Sequence, residues 1–288
     1  MIPTPTPRAA GASRGASRRV GPPIALSAGP ARSGWFTQTG QVLRRWLIGS
    51  WRQAWGPVMS LIQPVIWIVL FGAVFSSLGA LPQFGGEGYI DYLVPGILMM
   101  TVLYSGAWAG TGYIDDMASG VMDQYLTSPI SRTAIITGQL VQQLIVNVLQ
   151  SLVVLGIGWL AGARYPGGIG GMAVALGVAT LLATIFCSVS TAVALTTRNQ
   201  IALISLSQLI VLPATFLSTT MMPADLMPEW VQTASRWNPM TWAVELGRGG
   251  LDGSYPANAW WQVGGLVLLA GLAFIWSVRA IRAYQRSI

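Results

Sequence analysis

The sequence predicts an all-α integral membrane protein: six transmembrane helices, an N-terminal amphipathic helix in the membrane interface, and an extracellular re-entrant helix pair before the last span. Composition sets the solvent, since 53% of the 288 residues are hydrophobic and 9% are charged. Several apolar runs also reach the roughly 20 residues that a helix needs to cross about 30 Å of hydrocarbon. The arginines lie in the N-terminal stretch and at the ends of these runs, which is a topology signal.

Residues 1–34 are rich in Pro, Gly, Ser, Ala and Arg and hold no apolar run, so they read as a disordered cytoplasmic tail without the apolar core of a signal peptide. Over 35–55, Trp35, Val42, Leu43, Trp46, Leu47, Trp51 and Ala54 recur at roughly helical spacing, with Arg44, Arg45 and Arg52 interleaved. Tryptophan and arginine on one amphipathic helix suit the membrane interface; a helix packed on another subunit is the alternative. Spans follow at about 57–79, 93–113, 134–161, 170–196, 201–222 and 258–278. The fourth and fifth are joined so tightly, through Arg198, Asn199 and Gln200, that they must form a hairpin.

With the N-terminus inside, the cytoplasm receives Arg8, Arg14, Arg18, Arg19, Arg32, Arg44, Arg45, Arg52, Arg132, Arg198, Arg279, Arg282 and Arg286, leaving Arg164, Arg236 and Arg248 outside. The positive-inside rule then places both termini of the multi-pass protein in the cytoplasm, and the expected location is the cytoplasmic (inner) cell membrane. It also explains the pI of about 10.2 without a nucleic-acid partner.

Absent residue types exclude several chemistries. The chain has no lysine, hence no GxxxxGK[ST] phosphate-binding loop and no Schiff base. It has no histidine, hence no Ser/His/Asp triad and no HExxH zinc site, and no metal site is expected. Cys187 lies within an apolar span and reads as a small packing residue.

The polar loop 114–133 falls on the cytoplasmic side. Met117, Val121, Met122, Tyr125 and Leu126 recur at helical spacing, while Ser119, Asp123 and Gln124 point elsewhere. Asp115 and Asp116 suit the start of such a helix, Pro129 ends it, and Ser131 can cap the next span. The spacing predicts a helix of about 10 residues that either offers an apolar face to the cytosol or rests on lipid. Between the fifth and sixth spans, Pro223, Pro228 and Pro239 divide 223–256 into pieces too short to span. Asp225 and Asn238 are plausible caps for helices over about 225–235 and 239–250, folded back into the outer leaflet. Trp230, Trp237, Trp242, Met227 and Met240 weigh against a solvated loop.

Two polar stripes run inside the membrane. Gln139, Gln143, Asn147 and Gln150 share one side of the third span, and Thr180, Thr184, Ser188 and Thr191 repeat the spacing in the fourth. They face either a substrate route or neighbouring helices as hydrogen-bonding glue. Gly106 and Gly110 form a small-xxx-small pair read as close packing.

The string SGVMDQYLTSPISRTAIITGQL (119–140) resembles the cytoplasmic loop and following span of ABC-2 type permeases, particularly the daunorubicin-resistance exporter group. MMPADLMPEWVQTASRWNPMTWAVELGRGGLDG (221–253) resembles the segment before the last span of the same family. The resemblance covers 35 to the C-terminus. It implies a permease, not itself an enzyme, that pairs with a like or identical chain. Two copies of a cytoplasmic ATPase would bind ATP and Mg, since this chain has no cofactor of its own. Met117, Gly120, Val121, Met122, Asp123, Tyr125, Leu126, Pro129 and Arg132 would then form the ATPase-coupling segment. Many relatives carry Arg and Glu before the position of Gly120, where this chain has IDDMAS. The group implies export of amphipathic, drug-like cargo. Export of a lipid-linked glycan or envelope lipid is the alternative, ahead of a membrane enzyme or scaffold.

Overall fold

The computed structural model describes residues 34–52, 55–75, 88–128 and 130–286, with backbone alone at 51, 52, 55–57 and 126. The tail 1–33, residues 76–79 of the first expected span and Pro129 lie outside the described residues. The described residues form helices and turns, with no strand among them.

The helices are α1 (Trp35–Arg52), α2 (Trp55–Val74), α3 (Tyr89–Trp108), α4 (Thr111–Ala118), α5 (Val121–Thr127), α6 (Arg132–Leu160), α7 (Gly168–Thr197), α8 (Gln200–Phe216), α9 (Glu229–Ser235), α10 (Pro239–Asp252) and α11 (Ala259–Arg286). Among the described residues, four helical stretches are long and apolar enough to cross a membrane: α3 with α4, α6, α7 and α11. The expected first and fifth spans are shorter apolar helices, Val58–Val74 and Gln200–Phe216.

Burial orders the bundle. In its most apolar window the α3–α4 stretch is 78% buried, against 39% in α6 and in α11, so α3 is central. It packs on α2, α6, α7, α8 and α10, while α7 also carries α10 and α11. Gly106 and Gly110 face α7 closely: a Cβ at Gly106 would lie 3.2 Å from Phe186, and one at Gly110 would collide with the Ser190 carbonyl. Cys187 is buried in that same contact region.

Where a fifth span was expected at 201–222, the helix is Gln200–Phe216, about 25 Å at 1.5 Å per residue. Ser218, Thr219 and Thr220 after it are buried, and backbone carbonyls at this end of α8 are met by side chains from elsewhere in the protein. Asn238 Nδ2 donates to the carbonyls of Ala214 (2.7 Å) and Leu217 (3.1 Å). Tyr92 Oη and the Arg248 guanidinium donate to the Thr219 carbonyl. At the other end of α8, Arg198 adopts the left-handed conformation (φ 53°) and Asn199 caps the helix through Ala202 N–H, giving the two-residue turn that the sequence requires.

The last helix runs to Arg286 rather than 278, because Ile281 and Tyr284 remain in a buried cluster with Tyr113, Met122 and Ile135. Ahead of it, the helix expected at 225–235 is two pieces, a 3-10 turn Ala224–Leu226 and α9. Pro228 disfavours helix at Met227, and Asp225 makes no cap. Asn238 does cap α10, accepting from Met240 N–H at 2.9 Å, with Pro239 in the first turn. Trp242, Met227 and Met240 are buried, but Trp230 is 68% and Trp237 71% exposed, so the tryptophans divide between two environments.

Candidate functional site

Helix α1 is fastened along α6. Gln38 Oε1 accepts from Ser131 N–H at 2.9 Å, Trp35 Nε1 donates to Thr133 Oγ1 at 3.0 Å, and Gln142 Nε2 donates to Ser50 Oγ at 2.8 Å. Val42 packs where Gly138 lacks a side chain, since a Cβ there would sit 2.7 Å from Val42. One face of the amphipathic helix is therefore consumed by its own chain; Phe36, Arg44 and Ile48 lie on the exposed side. The side chains of Trp51 and Arg52 lie outside the described residues.

Beside α1, the loop is not the single short helix that its spacing suggested. The preceding span continues through Asp115 and Asp116 to Ala118, and Gly120, at φ 72°, breaks the chain before α5. A left-handed residue is readily accommodated by glycine, which is why the break falls there. Met117 consequently belongs to α4, while Val121, Met122, Asp123 and Tyr125 belong to α5.

The two aspartates sit in the last turn of α4, where the helix dipole disfavours anions, not in a first turn as expected. Asp116 is 7% exposed and its charge is met by Arg45. Arg45 Nη1 donates to Asp116 Oδ2 at 2.9 Å, and Nη2 makes a short contact with Oδ1, giving a two-pronged pair. The same Nη1 donates to Tyr125 Oη at 2.7 Å, and the guanidinium lies over the Tyr125 and Trp46 rings at 5.2 and 5.4 Å. The bond to Asp116 holds the Arg45 guanidinium above its ordinary range. Trp46 in turn reaches Gly112, where a Cβ would lie 2.7 Å from the indole.

Met122 is fully buried, and Met117 and Tyr125 pack partly against the same cluster. Of the apolar face expected to face the cytosol or lipid, Met122 is buried with residues of the protein's own α4, α6, α7 and α11, while Met117, Val121 and Tyr125 are half-buried. What projects outward is a polar ridge: Asp115, Ser119, Asp123, Gln124 and Thr127. The Leu126 side chain and Pro129 lie outside the described residues. Ser131 caps α6 by accepting from Ala134 N–H, and Arg132 Nε donates to Gln285 Oε1 at 2.9 Å, joining the loop to α11.

The glutamine stripe of α6 is largely bonded across helices. Gln139 donates to the Ala109 carbonyl, Gln143 to Ser105 Oγ at 2.8 Å and Gln150 to Ser60 Oγ at 2.6 Å. Asn147 Nδ2, Gln150 Oε1 and Ser188 Oγ are buried with no hydrogen-bond partner among the described residues. In α7, Thr180 and Thr184 bond back to Leu176 and Thr180 carbonyls. Open space lies elsewhere, in a cleft of about 430 Å³ between α2 and α3, lined by Ser60, Gln63, Trp67, Tyr104, Ser105 and Trp108 among others, and in one of about 370 Å³ beside Phe71, Tyr89 and Phe216. Of the stripe, Gln143 and Gln150 bond to residues of its wall.

Sequence reasoning missed Asp116 as Arg45's partner, because the two are 71 positions apart and no local pattern links them. It also missed Gly112 and Gly138 as seats for Trp46 and Val42, and Ser190 and Ser207 as partners of α3.

Residues 37–251 match the ABC-2 type transporter family, a stretch that includes most of α1, the loop and α10 nearly to its end. A transport permease of Cyanophora paradoxa, ycf38, is 27% identical over 65% of this chain, and the match spans 65% of that relative, just under two thirds of its length. The daunorubicin resistance ABC transporter permease protein DrrB1 of Streptomyces coeruleorubidus is 26% identical over 78% of this chain and 77% of its own. A protein named as the doxorubicin resistance ABC transporter permease DrrC in Mycobacterium tuberculosis is 22% identical over 87% of each chain. The chain belongs to the ABC-2 type transporter family.

Proposed function

We propose that this chain is the membrane subunit of an ABC exporter that moves an amphipathic, drug-like substrate out across the cytoplasmic membrane, using ATP and Mg bound by two copies of a separate ATPase. All six apolar helices span in this reading, α2 and α8 included, with both termini cytoplasmic and α9 and α10 re-entrant from the outside. Two permease chains pair. The observation that carries the proposal is the Arg45–Asp116–Tyr125 junction, which joins α1 and the α4–α5 turn into one block at the arginine-rich end of the bundle.

Such a block can pass a push from outside the membrane to the spans. An ATPase shifts the permease between states only if it binds them with different affinity, so the contact surface must move with the spans. The exposed ridge carries Asp115 and Asp123 and suits a partner groove lined by positive or hydrogen-bonding groups. The daunorubicin and doxorubicin resistance names of the relatives support drug-like cargo. So does the cleft between α2 and α3, in which aromatic rings alternate with hydroxyl and amide groups and no lining residue is charged.

Inside-out vesicles holding the chain and its ATPase test the reading with doxorubicin as probe. ATP-driven accumulation, abolished when the ATPase's P-loop lysine is replaced, is the expected result. Accumulation indifferent to ATP, or none despite ATP hydrolysis, would overturn it.

A further inference from the structure

The hydrogen-bond ladder of the helical stretch carrying the loop breaks inside the bundle at Ala109–Gly110, between α3 and α4, while both residues keep right-handed helical backbone angles. A break frees backbone groups that the helix would otherwise pair, and in a membrane interior those groups must find protein partners. Here they find them on three different helices. Ser190 Oγ of α7 donates to the Ala107 carbonyl at 2.6 Å and accepts from Gly110 N–H at 3.0 Å, so one hydroxyl bridges the gap. Ser207 Oγ of α8 donates to the same Ala107 carbonyl at 3.0 Å, and Gln139 Nε2 of α6 donates to the Ala109 carbonyl at 2.8 Å. Ser190 and Gln139 are 2% and 3% exposed.

Glycine at 110 is what permits the approach, because a Cβ would strike the Ser190 carbonyl and lie 2.8 Å from its Oγ. The segment beyond the break, α4, is the one that Arg45 and Trp46 bind to α1.

We infer that Ser190, Ser207 and Gln139 are positioning residues that make the Ala109–Gly110 break a pivot, through which movement of the α1–α4–α5 block, itself bonded to α6, reaches α7 and α8. The inference rests on the exporter reading for its use in transport but not for its geometry. Side-chain bonds across the break can exchange without unravelling either helix, whereas a continuous helix would carry α3 along rigidly. Gln139 accordingly serves the pivot rather than a substrate route.

Two measurements test it. Hydrogen–deuterium exchange on the chain alone should show peptides covering 106–114 exchanging at least tenfold faster in Ser190→Ala, with peptides of α11 unchanged and Ser190→Thr close to the parent. In the reconstituted complex, Ser190→Ala, Ser207→Ala and Gln139→Leu should each keep ATP hydrolysis while doxorubicin moved per ATP falls several-fold. Unchanged exchange at 106–114, or a uniform rise that includes α11, would overturn the pivot, as would an unaltered transport-to-hydrolysis ratio in all three variants. If the parent complex moves no doxorubicin, the exporter reading fails, and the exchange result still decides the pivot's geometry.

Discussion

Replacing Arg45 with methionine removes the pair that binds α1 to α4 while keeping much of the side chain's apolar stem. Asp116, 7% exposed, loses two charge-assisted hydrogen bonds, and Tyr125 loses a third contact. Breaking a fully buried pair from one side costs about 3–5 kcal/mol, and a surface pair about 0.2–1 kcal/mol. The Arg45 side chain is 40% exposed, so water screens its end of the pair, and about 2 kcal/mol is the expected loss. Asp116→Asn should cost about 1–2 kcal/mol, and the double variant less than the sum, with a coupling energy of about 1 kcal/mol. Reversible unfolding of the purified chain in mixed micelles of increasing SDS content reads all four corners of the cycle. Additivity within about 0.3 kcal/mol would refute the claim that these side chains form one unit.

Other substitutions probe the same architecture. Gly138→Ala places a methyl group 2.7 Å from Val42 and 3.1 Å from the Thr39 carbonyl, and should loosen α1 by about 1–3 kcal/mol, read by faster proteolysis within 35–52. At Gly120 a methyl group meets open space but φ is 72°, so Gly120→Ala should cost about 1 kcal/mol through backbone strain alone, measured by the same SDS titration. Asn238→Ala removes the α10 cap and two bonds to the end of α8, and should lower stability by about 2 kcal/mol in that titration. Asp115→Lys with Asp123→Lys reverses the ridge's charge at two exposed positions, and should weaken ATPase co-purification while leaving SDS stability within about 0.5 kcal/mol.

Much of the helical order was legible because the bundle's long elements announce themselves by apolar run length and by local caps. Ser131, Asn199 and Asn238 each cap the helix that follows, as residues of their type do wherever the next few backbone N–H groups need an acceptor. What was not legible depends on distant partners. The spacing of Met117, Val121, Met122 and Tyr125 puts them on one side, but periodicity cannot say how much of that side the chain itself covers; here Met122 is buried with residues of α6 and α11, and the other three are half-buried. Asp116 read as a helix-starting anion because Arg45, 71 residues away, is invisible locally. The fifth span read too long because Ser218, Thr219 and Thr220 are mild on hydropathy, and only the inward-facing Asn238, Tyr92 and Arg248 explain why the chain turns there. Gln139 and Gln150 looked alike on a helical wheel, yet one closes a backbone break and the other holds Ser60.

A photo-cross-linking side chain placed at Gln124, exposed on the polar ridge, and in parallel at Trp230, exposed at the far end of the bundle, tests the central claim most directly. In membranes holding the chain and its ATPase, position 124 is predicted to capture the ATPase with a yield that changes between nucleotide-free and ATP-bound conditions, and position 230 to capture none. Capture at 230, or no capture at 124 in vesicles that still move doxorubicin at the expense of ATP, would contradict the account.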